Sequence, residues 1–235
     1  MGNFAQRFFF PFSRDFINRN NVQVLFINYF RPTLDFKLTD YLLRATWETE
    51  FTSNARVTAN LINQFIYLTD EFDPTRTDGG TPLPGDQGYT FNYATIEYAS
   101  NNTNLFTYAF NSTIGEFFNG NRYSAGGSVS YRWQPWAQFT LNVNYDGIKL
   151  PEPYESADYW LITPRVDVTF NRSLFFTALA QYSNQRDNLG INARLQWRFA
   201  PLSDLFLVYN DNYFIEDFGP RFRSINLKVS YWLNI

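Results

Sequence analysis

Residues 191–199 alternate strictly between apolar and polar side chains, and this period of two constrains the chain more than any other feature. The stretch reads INARLQWRF, so one face of it would be apolar and the other would carry Asn192, Arg194, Gln196 and Arg198. A period of two is typical of a β-strand with two unlike faces. In a soluble barrel the apolar face would point inward. The alternation alone therefore leaves open which face is inside.

The same alternation recurs along almost the whole chain after residue 20. Aromatic residues make up 20% of the composition, with 26 Phe and 16 Tyr against one Met, and such residues favour strands over helices. No segment shows a convincing helical period. The sequence predicts strands at 22–38, 41–52, 55–67, 89–98, 105–114, 121–133, 136–146, 158–170, 173–184, 189–199, 204–210 and 223–235.

The predicted connections alternate between long and short, apart from a first turn near Thr39 and Asp40. The longest, 68–88, is rich in Gly, Pro and Asp. Transmembrane β-barrels have short periplasmic turns, long external loops, an even strand number and strands of about ten residues. The sequence thus predicts an all-β, antiparallel, up-and-down transmembrane β-barrel of about twelve strands over residues 21–235. The open alternative is a soluble, aromatic-rich barrel whose apolar stripes form its core.

Aromatic residues near the predicted strand ends agree with the membrane interpretation. Transmembrane barrels carry aromatic girdles at both interfaces. We expect one girdle beside the short turns and one near the longer loops, formed by Trp133, Trp136 and Trp197 and by Tyr145, Trp160 and Tyr182, respectively.

Pro164 is the residue that fits this pattern least. It lies inside the segment 158–170, whereas proline is expected only at sheet edges or bulges. The sequence therefore predicts a bulge there.

The composition excludes several classes of chemistry. The chain has no Cys and no His, which removes disulfides, thiolate metal sites and Ser-His triads, so we expect no enzyme activity, metal or cofactor. A net charge of -3 gives no basic footprint for nucleic acid. Acidic clusters in the loops lack the spacing of a calcium-binding EF-hand, and we expect them to be solvated: Asp70, Glu71 and Asp73, and Glu216 and Asp217.

The two ends of the chain carry separate expectations. Residues 1–20 lack the pattern of a signal peptide, so we expect that a signal was removed or that the chain belongs to a longer protein. We expect this segment to form a periplasmic extension or a plug. The terminal segment 225–235 alternates to its last residue and is typical of a strand recognised by the outer-membrane insertion machinery.

If the apolar face contacts lipid, the charged residues of the strands line the lumen. The residues assigned to the lumen are Arg44, Glu48, Arg132, Arg165, Asp167, Arg194, Arg198 and Lys228, with Lys37, Asp35 and Glu50 beside them. Positive charges outnumber negative ones in this set, which favours anions in an open pore. The alternative is that Arg165, Arg194, Glu48 and Asp167 pair across a filled interior, since unpaired buried charge is costly.

Four stretches give the chain a family resemblance. They are FFNGNR at 117–122, FNRSLFFTALAQYS at 170–183, NARLQWRFAPLSDLFLVYND at 192–211 and INLKVSYWLNI at 225–235. These stretches resemble the C-terminal part of a domain-of-unknown-function family from Gram-negative bacteria, most strongly over residues 89–235. Long members of that family join a family-9-like carbohydrate-binding domain to an outer-membrane barrel. The resemblance implies a barrel in the bacterial outer membrane and carries over no catalytic residue.

Three functions follow from these observations. The first is a narrow, porin-like channel for small polar solutes, and the second is a non-conducting barrel that anchors a larger glycan-handling or assembly complex. The third, an outer-membrane enzyme acting on lipid or peptide, is disfavoured because the commonest general base is absent. The expected partners are outer-membrane lipid or lipopolysaccharide, the insertion machinery and other outer-membrane proteins.

Overall fold

The computed structural model describes residues 16–233 as one antiparallel sheet of twelve strands in sequence order. The strands are β1 (Ile17–Arg31), β2 (Lys37–Phe51), β3 (Arg56–Leu68), β4 (Gln87–Ala99), β5 (Phe106–Phe117), β6 (Gly120–Trp133), β7 (Ala137–Lys149), β8 (Ala157–Thr169), β9 (Leu174–Ser183), β10 (Asn188–Ala200), β11 (Ser203–Tyr213) and β12 (Pro220–Ser230). Two short 3-10 turns occur at Pro32–Leu34 and Asn184–Arg186. Among residues 16–233 no helix has the length and apolar character needed to cross a bilayer. The all-β, up-and-down fold and its twelve strands are confirmed.

The strand boundaries differ from the predicted ones mainly at the two ends of the sheet. β1 begins at Ile17, inside the segment predicted to precede the barrel, and the first turn lies at 32–36, before Thr39. Pro32 starts that turn, and Asp35 follows it with a positive φ, which ends the extended chain. β12 ends at Ser230, so the predicted terminal strand is shorter than expected. The expectations for residues 1–15 and 234–235 lie outside the described residues.

The connections are sorted by length less completely than the sequence predicted. One end of the sheet carries the connections 32–36, 69–86, 118–119, 150–156, 184–187 and 214–219. The other end carries 52–55, 100–105, 134–136, 170–173 and 201–202. The connection 118–119 is short because β5 and β6 extend into the stretch GEFFNGN, which was predicted to be a loop. The segment 69–86 is confirmed as the longest described connection.

Strand register separates the side chains into two unlike faces. In one cross-strand row Gln23, Thr46 and Asn60 are paired in succession, and Thr95 follows them. The neighbouring row contains Val24, Ala45, Leu61 and Ala94. We call the face of the first row the polar face and that of the second row the apolar face.

Large side chains of the apolar face are exposed rather than buried. Leu61 is 68% exposed, and Leu227 and Ile225 are 65% and 70% exposed. A soluble barrel would cover its apolar stripes with its own opposite wall, because burial of apolar surface drives its folding. These side chains of the apolar face are therefore not covered by other described residues. Their exposure contradicts a fold in which the apolar stripes form the core.

Two compact units can be described separately. The first comprises residues up to Asn102 together with Ala109–Gly126 and Tyr145–Asp158, and the second comprises Thr103–Tyr108, Gly127–Asn144 and the chain from Tyr159 onward. The first unit contains a buried hydrophobic cluster around Leu83, Tyr89 and Phe91. In the second unit the pairing continues from β8 through β12.

The bulge predicted at Pro164 is absent on the side of β8 that pairs with β9. Ile162 pairs with Tyr182 and Arg165 pairs with Leu179, so two residues on each strand lie between the two pairs and the register does not shift. Thr163 and Pro164 instead leave the ladder between those pairs. Proline has no N–H to donate, so the strand loses pairing locally without an added residue.

Gly115 gives a test of the packing between β4 and β5. Its φ is +150°, and a Cβ there would lie 2.5 Å from the carbonyl oxygen of Asn92 and 2.5 Å from the Cα of Tyr93. We expect Gly115→Ala to destabilise the sheet by about 1–3 kcal/mol, the range for backbone strain, as measured by urea unfolding in detergent micelles. Thr107→Ala, a half-buried position on the same strand, is the control. Equal midpoints for the two variants would contradict this packing.

Candidate functional site

The polar face is the candidate functional site, and neutral side chains hydrogen-bond across it from strand to strand. The hydroxyl of Thr46 donates to the Oδ1 of Asn60 (2.7 Å), and the Nδ2 of Asn60 donates to the Oγ1 of Thr95 (2.8 Å). In the second unit Asn192 donates to Asn210, which in turn donates to the hydroxyl of Ser224. These bonds satisfy polar groups that would otherwise need water.

Arg165 and Asp167, both predicted to line the lumen, form a two-pronged ion pair on β8. The Nε and the Nη2 of Arg165 each lie 2.8 Å from an oxygen of the carboxylate. The hydroxyl of Thr177 on β9 donates to the same carboxylate at 2.8 Å. Such a geometry is stronger and more specific than a single contact between charges. The two residues thus pair along one strand, and the predicted pairing across a filled interior stays a prediction.

Glu48 has a partner that the sequence analysis did not assign. Arg19 on β1 lies 3.4 Å from the carboxylate of Glu48 and 3.0 Å from that of Glu50. Glu48 thus has a partner on the neighbouring strand. Arg19 escaped notice because it fell in the segment 1–20, which was predicted to precede the first strand.

Arg198 and Arg132 bind groups at the end of the sheet that carries the shorter connections. The Nε of Arg198 lies 3.4 Å from the carboxylate of Asp204, which also accepts a hydrogen bond from Gln196 at 3.0 Å. The Nη2 of Arg132 donates to the carbonyl oxygen of Asn104 at 3.0 Å. Both arginines are thus engaged at one end of the polar face.

Three of the cations that were predicted to line the lumen form no ion pair with a described carboxylate. Among residues 16–233, no carboxylate lies within ion-pair distance of Arg44, Arg194 or Lys228. The Nε of Arg44 is buried and makes no hydrogen bond within the described chain. Glu97, opposite Thr58 in the same register, is a counter-charge without a described ion pair. The polar face therefore retains a small positive surplus.

The two remaining charges assigned to the lumen lie at its edge. Asp35 is in the turn that precedes β2. Lys37 is the first residue of that strand, and its Nζ lies 3.6 Å from the ring centroid of Tyr67. Neither side chain belongs to the central rows of the polar face.

A second strong cluster, on β6 and β7, was missed by the sequence analysis. The Nε and the Nη2 of Arg122 each lie 2.7 Å from an oxygen of Asp146, and the hydroxyl of Ser124 donates to that carboxylate at 2.6 Å. The guanidinium of Arg122 also lies 5.3 Å from the ring centroid of Phe117. Arg122 and Asp146 lay at the ends of predicted strands. Arg122 and Ser124 are two residues apart on one strand, and this spacing was the signal that could have placed both on one face.

Asp211 is a carboxylate on the apolar face. It is 1% exposed and receives the hydroxyls of Tyr209 and Tyr213, while Arg223 on β12 lies 2.8 Å away. The register pairs Asp211 with Ile191, which confirms the face. Two tyrosine rings and one guanidinium therefore cover the charge where the surrounding side chains are apolar.

The acidic loop clusters serve turns in this structure. The carboxylate of Asp73 accepts from the backbone and the hydroxyl of Thr75, and Asp217 accepts from the backbone N–H of Gly219 at 2.7 Å. Across residues 16–233 there is no group of three or more acidic side chains that could hold a metal ion.

Comparison with known proteins does not add a family. No protein-family model, no curated protein and no solved structure matches the chain. The resemblance carried by the strand motifs stays a prediction. We therefore infer the function from the geometry of the two faces.

The Arg122–Asp146 pair can be tested through stability. Asp146→Asn removes the charge that accepts three hydrogen bonds, and we expect a loss of about 1–2 kcal/mol after allowance for partial exposure. Urea unfolding in micelles measures it. Glu71→Gln, a change of the same kind at an exposed loop carboxylate, should leave the midpoint in place. An unchanged midpoint for Asp146→Asn would show that the cluster does not hold β6 and β7 together.

Proposed function

We propose that the chain is a β-barrel of the bacterial outer membrane with a polar lumen. The observation that carries the proposal is the inverted arrangement of the sheet: its large apolar side chains are exposed, and its polar side chains hydrogen-bond to one another. In lipid every backbone polar group needs a partner, and a barrel supplies these partners between its strands.

Aromatic placement supports a bilayer around the apolar face. Trp133 and Trp136 are 58% and 52% exposed and lie at the end of β6 and in the turn that follows it. Trp197 lies close to the short connection 201–202, and Trp160 lies close to the longer connection 150–156. Rings of this type favour the membrane–water interface, where one edge is apolar and the other is hydrated.

A narrow channel for small polar solutes is the activity that the polar face supports best. Polar rows span several strands, and the unpaired cations Arg44, Arg194 and Lys228 offer a weak preference for anions. Barrels near this size lie between those filled by side chains and those with wide aqueous pores. Conduction would therefore be small.

A non-conducting anchor is the second candidate. The ion pairs of Arg165 with Asp167 and of Arg122 with Asp146 occupy the polar face with charge that is already matched. Such a barrel would hold a larger glycan-handling or assembly complex in the membrane, through other outer-membrane proteins. Outer-membrane lipid or lipopolysaccharide would cover its apolar face, and the insertion machinery would recognise its last strand.

Two adjacent substitutions on β10 test the assignment of the faces. Leu195→Arg would place a charge in the hydrocarbon and should cost about 2–4 kcal/mol near the bilayer midplane. Gln196→Arg adds the same charge to the polar face and should be mild. Folding into lipid vesicles, followed by denaturant titration, measures both. Equal costs would mean that the faces are reversed or that the sheet is not embedded in lipid.

Reversal potentials in planar bilayers under a KCl gradient test the channel. We expect a weak anion preference that Lys228→Gln and Arg194→Gln each reduce, since each removes an unpaired positive charge from the polar face. Lys149→Gln, at the end of β7, removes the same charge and should have no effect. A cation preference would refute the lumen assignment. Current that stays at baseline under every condition would favour the anchor.

A further inference from the structure

The segment 69–86 is a compact flap with its own internal bonds. The carboxylate of Asp73 accepts from the backbone and the hydroxyl of Thr75 (2.8 and 2.6 Å) and from the backbone of Thr77 (3.0 Å). Burial raises the pKa of Asp73, but these hydrogen bonds outweigh it and hold that pKa below its ordinary value. The carboxylate is therefore ionised at neutral pH, and the turn remains bonded.

The base of the flap is narrow. Phe72 and Leu83 form an isolated antiparallel bridge, with backbone N···O distances of 3.1 and 2.8 Å. A Cβ on Gly85 would lie 3.0 Å from the carbonyl carbon of Asp70, so the two ends of the flap are in close contact. Compact loops whose ends meet in this way move or hold as one body.

The flap inserts Leu83 into aromatic residues of the polar face. Leu83 is 0% exposed and packs with Tyr89 and Phe91, which lie on the same face of β4 as the polar-face residues Tyr93 and Thr95. The insertion therefore removes water from one end of the polar face.

Phe118 packs against the flap from the connection 118–119, which lies at the same end of the sheet. Its ring centroid lies 5.6 Å from that of Phe72, 5.5 Å from that of Tyr89 and 5.4 Å from that of Phe91. Aromatic rings at these separations are in favourable contact. Phe118 has a positive φ in the two-residue turn 118–119, so the turn directs it toward the flap.

Glu155 accepts hydrogen bonds from Thr81, two residues before Leu83. The backbone N–H of Thr81 donates to the Oε2 of Glu155 at 2.7 Å, and its hydroxyl donates to the Oε1 at 3.4 Å. Glu155 lies in the connection 150–156, which also supplies Tyr154 to the cluster around Leu83. The Leu83 cluster, the ring contact of Phe72 with Phe118 and the carboxylate of Glu155 thus all hold the flap to the sheet.

We propose that the flap 69–86 is a lid. Leu83 covers the end of the polar face where the longest connection lies, and the hydrogen bonds to Glu155, which we call the latch, keep the lid closed. The part of this inference that concerns solute passage rests on the proposed function, in which the polar face lines a lumen. Breaking the Glu155 latch releases the lid as one body and opens that end. In the closed state, apolar side chains cover that end of the polar face.

Cysteine labelling tests the lid without any need for conduction. The chain has no natural cysteine, so Leu83→Cys introduces a unique thiol for a membrane-impermeant maleimide. We expect slow labelling of Leu83→Cys and a roughly tenfold faster rate when Glu155→Ala is added, since a hydrogen bond to a charged group is lost. Glu71→Ala, an exposed carboxylate of the same flap, should not change the rate, and Asp78→Cys, also exposed, should label fast in every background.

Two outcomes of the labelling would overturn the lid. One is that Leu83→Cys labels as fast as Asp78→Cys with Glu155 intact, and the other is that Glu155→Ala leaves the rate unchanged. If Leu83→Cys fails to fold, hydrogen exchange of residues 69–86 gives the same test in the chain without an added cysteine. The exchange rate of Glu155→Ala is then compared with that of Glu71→Ala. Faster exchange in Glu155→Ala alone supports the latch, and equal exchange overturns it.

Bilayer current then separates the lid from the channel. We expect Glu155→Ala to increase the current and Glu71→Ala to leave it at the level of the unmodified chain. Faster labelling with an unchanged current would overturn the role of the lid in solute passage and leave the channel standing. Silence of every variant would overturn the channel, while the labelling rates would still decide the lid.

Discussion

The structure depends on one constraint: a sheet whose backbone is paired from strand to strand and whose two faces have opposite polarity. Cross-strand rows such as Thr46, Asn60 and Thr95 use side-chain bonds where a soluble protein would use water. The buried hydrophobic cluster described around Leu83 is small beside the exposed apolar face. The bilayer that we propose would cover this exposed apolar face.

The fold could be read from the sequence because a period of two needs only local information. Each of the twelve strands overlaps a segment that the alternation predicted. Large side chains of the predicted apolar face are exposed. Boundaries were harder: the first strand begins at Ile17 because pairing with Phe51 extends it beyond the alternating stretch. Pro164 interrupts the pairing of β8 with β9 without a shift of register.

Charge partners could be predicted only within a strand or a clear register. Arg165 and Asp167 are two residues apart on one face, so their pairing follows from alternation. Glu48 binds Arg19, and Arg122 binds Asp146, through strands whose alignment the sequence does not specify. The inward turn of Leu83 was likewise invisible, because an apolar residue in a Gly- and Pro-rich stretch gives no period that could place it.

The contact between Thr81 and Glu155 has a consequence for the order of assembly. Strand pairing here joins sequence neighbours, so hairpins form as each strand follows the last. Thr81 and Glu155 are 74 residues apart, and their bond needs the connection between β7 and β8 to be in place. The internal bonds of the flap need only residues of the flap, whereas its contact with Glu155 also needs the connection that follows β7. Its closure thus reports that assembly has passed that stage.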